Sequence, residues 1–194
     1  MAETATRLTT AVEPQVGVST EWEIDPKHSL VEFSVKHMMF TTVKGRFTGV
    51  SGTIHCADES NPSCAAVEAD IDAASINTGD QGRDDHLRSA DFLDVASYPT
   101  LHFRGTRVEP TGEDQYRVVG DLTVRGTTRP VTLETSFTGR SKNPCGQEVA
   151  GFTTETQLNR KDFGLTWNAA LESGGLLVGD KLTVLIEIQA IRKS

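Results

Sequence analysis

Three groups of residues in this sequence carry types that could do chemistry. Asp25, His28 and Ser29 stand close together and are the residue types of an orienting carboxylate, a base and a nucleophile. No Gly-x-Ser-x-Gly elbow accompanies them, and a relay needs directed hydrogen bonds beside an oxyanion hole, which nearness in sequence does not supply. Arg83, Asp84 and His86 form the second group. They are equipped to hold a polar head group or, through an Arg83–Asp84 ion pair, to pin the local backbone. The third is His37 with Met38, Met39 and Phe40, where flexible thioethers beside an imidazole suit an entrance for a branched apolar chain and equally suit gap filling. His28, His37, His55, His86 and His102 show no His-x-x-x-His spacing, so no metal is expected. Thr78-Gly79-Asp80-Gln81-Gly82 lacks the Gly-Lys-Ser/Thr ending of a phosphate loop. No cofactor is expected.

The elements that must position these groups are strands. From Leu30 to Met38 the chain alternates, Val31, Phe33, Val35 and His37 on one side and Glu32, Ser34 and Lys36 on the other. It then turns at Phe40-Thr41-Thr42 and returns through Val43, Gly45 and Phe47, an antiparallel hairpin. The returning arm is expected to reach Ile54, its change of parity absorbed by a bulge at Gly49 or Gly52. Further alternation at Val67–Ala73, Thr100–Val108, Gln115–Arg125, Val131–Phe137, Ala150–Leu158 and Lys181–Arg192 gives about eight long strands, after a short leading one at Glu21–Ile24. Between Ser75 and Pro99 the alternation stops. A short helix is expected over Asp85–Leu93, capped by Asp84 or Asp85, with Leu87, Ala90 and Leu93 on one face. Many strands, hairpin connections and one helical insert predict an all-β, eight-stranded antiparallel barrel and exclude a parallel α/β sheet. Small residues at inward positions (Ala69, Ala73, Gly105, Gly120, Ala150, Thr154 and Thr156) leave room for a ligand.

The chain has 194 residues, enough for one barrel domain, over residues 19–194, after a flexible arm over residues 1–18. A formal net charge of −8 with scattered Lys and Arg argues against a nucleic-acid partner. The opening residues hold no apolar core of a signal peptide, and no window approaches the ~18 apolar residues of a spanning helix. A cytoplasmic protein with no integral membrane segment is expected. Cys56 and Cys64 stand close enough to bridge, but Cys145 leaves an odd count, which favours reduced thiols.

Nine short pieces then occur in order: Trp22-x-Ile-Asp25-Pro-x-His28-Ser29, Phe33-x-Val-x-His37, Gly45-x-Phe47, Ser75-x-Asn-Thr78-Gly79, Arg83-Asp84-x-His86-Leu87, Asp91-Phe92, Tyr98-Pro99, Gly120-x-Leu122-Thr123-x-x-Gly126 and Asn159-Arg160-x-Asp162-Phe163-Gly164. Together they resemble the YceI-like family of polyisoprenoid-binding proteins with a lipocalin-like barrel. The resemblance implies an extended barrel whose interior takes the chain of a polyisoprenoid lipid or an isoprenoid quinone, and a non-enzymatic carrier. It admits a homodimer, although a closed barrel needs no partner for its edges. Under this reading the tunnel lining is Phe33, Val35, Met38, Met39, Val67, Ile71, Leu87, Phe92, Leu101, Phe103, Leu122, Phe137, Phe152 and Ile186. His37, Arg83, Asp84 and His86 stand at a polar mouth. Two alternatives stay open at this point: an enzyme acting on a lipid or quinone through His37 or His86, and a stress-related interaction module whose barrel is filled by its own side chains.

Overall fold

The computed structural model describes residues 19–59, 61–172 and 175–193. The arm expected over residues 1–18 lies outside them. The alternating stretches form β1 (Thr20–Ile24), β2 (Leu30–His37), β3 (Thr41–Phe47), β4 (Val50–Cys56), β5 (Ala65–Asp72), β6 (Ile76–Asn77), β7 (Thr100–Gly112), β8 (Gln115–Val124), β9 (Thr127–Lys142), β10 (Glu148–Asn159) and β11 (Val178–Arg192); the helix is α1 (Gln81–Arg88). Every strand pairing is antiparallel, because nearly every connection is a short turn.

Several of these strands are halves of longer ones. β2 pairs with β3 and β1 with β4, so β1 continues into β2 across a bend at Asp25–Ser29, and β3 into β4 across Thr48–Gly49. β5 and β6 lie on β4 and β3 in the same way. The wall therefore has eight staves, and it closes where β11 pairs with β10 on one side and with β2 and then β1 on the other. This is the expected eight-stranded antiparallel barrel, with the short leading strand as the first half of a broken stave.

Two local expectations are corrected. The arm expected to run through to Ile54 is broken at Thr48–Gly49, where Ser75 Oγ accepts from Thr48 N at 3.2 Å and Gly49 N at 3.0 Å. The parity change marks a kink at which the chain changes neighbours, not a bulge within one strand. The helix starts four residues before Asp85, because Asp80 Oδ1 accepts from Arg83 N at 2.8 Å and so caps it, which leaves Asp84 inside the first turns. The helix also ends early, at Arg88, where Ser89 N donates to His86 O, so Ala90 and Leu93 lie beyond it and share no helical face with Leu87.

Two glycines hold aromatic rings. Gly45 lies opposite Phe33 across the β2–β3 pair, and a Cβ there would overlap the Phe33 ring. A Cβ on Gly120 would sit 2.5 Å from Phe103 Cζ. Space expected to be empty beside Gly120 is filled by that ring. Bulges at Thr106 in β7 and Thr138 in β9 reset the parity of long strands, so that Val108 and Arg140 face inward.

The barrel has two ends. At the upper end are the β2–β3 and β8–β9 turns, α1, and the connection from β10 to β11. At the lower end are the start of β1, the β4–β5 connection, and the β7–β8 and β9–β10 turns.

Candidate functional site

Inward residues of every stave surround a cavity of about 570 Å³. Phe33, Val35, Val67, Ile71, Leu101, Leu122, Phe137, Phe152 and Ile186 line it yet are only half-buried, because their inner faces meet open space instead of other side chains. Leu87, Phe92 and Phe103 line it too. Polar groups are few along the shaft. Thr135 and Thr154 satisfy each other, Oγ1 to Oγ1, at 2.8 Å. An apolar bore with its hydroxyls already paired favours a hydrocarbon over a ligand rich in hydrogen-bonding groups.

The lower end carries a charged ring. Arg140 Nη2 donates to Glu59 Oε1 at 2.9 Å and Arg140 Nε lies 2.6 Å from Glu148 Oε1; Arg192 Nη1 donates to Glu148 Oε2 at 2.8 Å, with its Nη2 3.5 Å from Glu59. The four groups form a ring over Trp22, and the Arg140 guanidinium stands 4.6 Å from the indole centroid. The Arg140 hydrogen bond holds Glu59 below its ordinary carboxylate range, and the Arg192 hydrogen bond does the same for Glu148. Sequence reading missed this ring. Arg192 was legible, since it continues the inward parity of Ile186, Ile188 and Ala190; Arg140 was hidden by the bulge at Thr138.

The upper end is held by Arg160, 3% exposed. Its Nη1 donates to Leu165 O at 2.6 Å and Trp167 O at 2.8 Å, its Nε to Gly179 O at 2.9 Å, and its Nη2 lies 3.3 Å from Asp180 Oδ1. Burial pulls this guanidinium below its usual range, against the pull of Asp180. Arg160 stands in the Asn159–Gly164 motif but was not read as a site residue.

α1 covers part of this end, turning Leu87 into the cavity. Arg83 and Asp84 do not pair with each other; both converge on Thr78. Asp84, 5% exposed, accepts from Thr78 N at 2.8 Å and Thr78 Oγ1 at 2.6 Å, and Arg83 Nε donates to Thr78 Oγ1 at 2.7 Å. They pin the insert through a shared threonine. Arg88 completes the attachment, donating to Ala74 O at 2.9 Å, in the turn before β6, and to Ile76 O at 2.7 Å, in β6. His86 is off the cavity wall. Its Nε2 lies 2.9 Å from Asp91 Oδ2, and its ring meets Trp167 and Phe92 edge-on with centroids 4.6 and 5.1 Å away.

The remaining sequence candidates disperse. His37, Met38 and Met39 do not line the cavity. Met38 and Met39 are the central residues of the β2–β3 turn, with φ of 51° and 65° and a Phe40 N to His37 O bond of 3.1 Å. That is the backbone of a type I′ turn, which throws Met39 outward. Asp25, His28 and Ser29 form no relay. His28 Nδ1 meets Asp25 Oδ2 at 2.7 Å, while Ser29 Oγ accepts from Gln189 N at 3.2 Å, so the group locks the β1–β2 bend onto β11. Cys56, Cys64 and Cys145 are free thiols. Among the described residues no cluster of His, Cys, Asp or Glu could hold a metal, and no helix is long and apolar enough to cross a membrane.

With this geometry in view, residues 22–190 match the model of the YceI-like domain. The chain belongs to the YceI-like family. Protein YceI of Salmonella newport (strain SL254) is 39% identical over 151 residues, which is 77% of this chain and 78% of the relative. The YceI-like barrel also superposes on BcnA of Burkholderia cenocepacia with a TM-score of 0.73, at 22% identity over 86% of this chain and 98% of that one. A polyisoprenoid binding domain from Saccharophagus degradans, implicated in plant cell wall breakdown, aligns with a TM-score of 0.66 at 15% identity, over 89% and 98% of the two chains. At those identities the two structures speak for the fold.

Proposed function

We propose that this YceI-like barrel binds the chain of a polyisoprenoid lipid or isoprenoid quinone along its bore and sequesters or transports it. The observation that carries the reading is the apolar cavity of about 570 Å³, well inside the roughly 300–1,000 Å³ range of ligand sites. At ~24 cal/mol per Å³, a dry void of that size would cost on the order of 14 kcal/mol, as much as the whole stability of a domain. Occupancy by hydrocarbon removes that cost, and each methylene taken from water adds about 0.8 kcal/mol. The polyisoprenoid-binding neighbour supports the same class of ligand.

Native mass spectrometry of the purified protein, before and after solvent extraction, tests the proposal. Near-stoichiometric prenyl lipid or quinone is expected. A protein that carries none and takes none up when offered it would overturn the reading. Ile186→Trp, which fills the bore from mid-barrel, is expected to lower uptake at least tenfold without lowering the melting temperature. An enzymatic reading through His86 is weakened by the engagement of its Nε2 with Asp91 and its place off the bore. Turnover of a lipid or quinone that His86→Ala abolishes while binding persists would restore it.

A further inference from the structure

The large hydrophobic side chains left exposed among the described residues are Met39, Phe40, Tyr98 and Leu176, and all four lie at the upper end of the barrel. Met39 is 69% exposed, Phe40 82% and Leu176 43%. Three of them belong to one patch. Met38 N donates to Leu177 O at 2.8 Å, so the β2–β3 turn is tied to the small hairpin in which Ala170 bridges Leu176. A type I′ turn selects Asn-Gly at its centre, because only such residues adopt positive φ cheaply. Here two methionines occupy those positions and a phenylalanine follows, so turn stability does not account for the sequence.

Lysines flank the patch on the strands beneath it, and the nearest strand carboxylate, Asp180, is already engaged by Arg160 and Lys161. Lys36 and Lys44 point outward on β2 and β3, and Lys181 stands at the head of β11, the strand paired with β2. None of the three enters an ion pair among the described residues, in a chain of net charge −8, although Glu172 on the small hairpin is acidic. Lys36 Nζ donates only to the neutral Thr42 Oγ1, at 3.1 Å. An apolar tip above lysines without a carboxylate partner is complementary to a bilayer with anionic head groups: the tip enters the acyl boundary and the lysines meet the lipid phosphates. The bore also ends here, since Val35 and Val178 line it and stand beside the turn.

We propose that Met39, Phe40 and Leu176, with Lys36, Lys44 and Lys181 on the adjacent strands β2, β3 and β11, dock the upper end of the barrel on an anionic lipid bilayer surface. The proposal deepens the carrier reading and rests on it for its purpose, since a chain drawn from a bilayer enters at the end that touches it. Docking itself can be measured without any cargo.

The test is flotation of the full chain with vesicles of phosphatidylcholine, with and without phosphatidylglycerol. The probe variant is Met38→Asn/Met39→Gly/Phe40→Ser, whose residues suit the turn and so keep the fold, as a melting curve will verify. The unaltered protein is expected to float with the anionic vesicles, with partitioning reduced about tenfold or more by the triple variant, by raised salt, and by Lys36→Glu/Lys44→Glu. Failure of the unaltered protein to float, or undiminished flotation of the triple variant, would overturn the proposal. So would a dimer that dissociates on Phe40→Ser, because the patch would then cover a second copy. Mass spectrometry of bound lipid on the same samples separates the two readings. Flotation without cargo leaves docking standing and removes the carrier; cargo without flotation does the reverse.

Discussion

At the scale of single residues, the barrel depends on a few charged groups placed where water is scarce. Arg160 is the clearest, because one guanidinium gathers the carbonyls of Leu165, which is buried, and of Trp167 and Gly179, which are half-buried. Arg160→Ala is expected to cost about 3 kcal/mol or more in urea unfolding, and Arg160→Lys to recover little of it, since an ammonium cannot span a fork of acceptors. Carboxylates held below their ordinary range make stability fall in acid, and Asp25, Glu59 and Glu148 are three of them. The His28 hydrogen bond holds Asp25 below its ordinary range, as Arg140 and Arg192 hold Glu59 and Glu148. Folded values below unfolded values mean stability that is fully present above the ordinary carboxylate range of about 4 and is lost as pH falls through the folded values. The stability gap between the unaltered protein and Glu59→Gln/Glu148→Gln should therefore be complete at pH 7 and close toward pH 3, read by urea unfolding at the two pH values. A gap that widens in acid would contradict the assignment.

At the scale of elements, strand alternation was legible because each stave has one face toward the bore and one toward water, and a period of two survives in any such strand. Positions where the chain leaves that period were not legible. Thr138 and Thr106 each insert a residue and flip the parity behind them, which hid Arg140. The helix was misplaced for a related reason: Gly79 and Asp80 look like a turn, and their role as entry and cap shows only when Asp80 Oδ1 is seen on Arg83 N. The apolar lining was readable from parity, whereas Met38 and Met39 were misassigned because turn conformation, not hydrophobicity, decides where they point. Ring-over-glycine packing also escapes a one-dimensional reading, since Phe33 and Gly45 meet only once β2 and β3 are in register. Gly45→Val and Gly120→Val should each destabilise by about 1–3 kcal/mol, because neither ring can move without leaving the bore wall. Denaturant titration should show a lower midpoint with an unchanged slope, the signature of lost stability in an unaltered fold.

At the scale of the whole molecule, the barrel is polarised: a ring of four charges over Trp22 stands at one end, and an insert, two hairpin tips and exposed apolar side chains occupy the other. A ligand held along such a bore stabilises the folded state by mass action, about 2.7 kcal/mol at a hundredfold excess over its dissociation constant. Stripping the lipid should then lower the melting temperature by roughly 5–10 °C, and adding it back should restore the loss. The attachment of α1 also has a kinetic meaning. β6 is two residues long and pairs with β3 alone, while Arg88 caps the Ile76 carbonyl and that of Ala74 just before the strand. One side chain stands in for a second neighbour, so this half-stave is the part of the wall whose release costs least. In deuterated water the amides of residues 76–88 should exchange well before those of β8, β9 and β10, and Arg88→Ala should quicken them without touching the rest. That order of exchange would mark β6 and α1 as a hinged panel at the rim, yielding to a bulky branch while β5, held between β4 and β7, and the other seven staves keep their register.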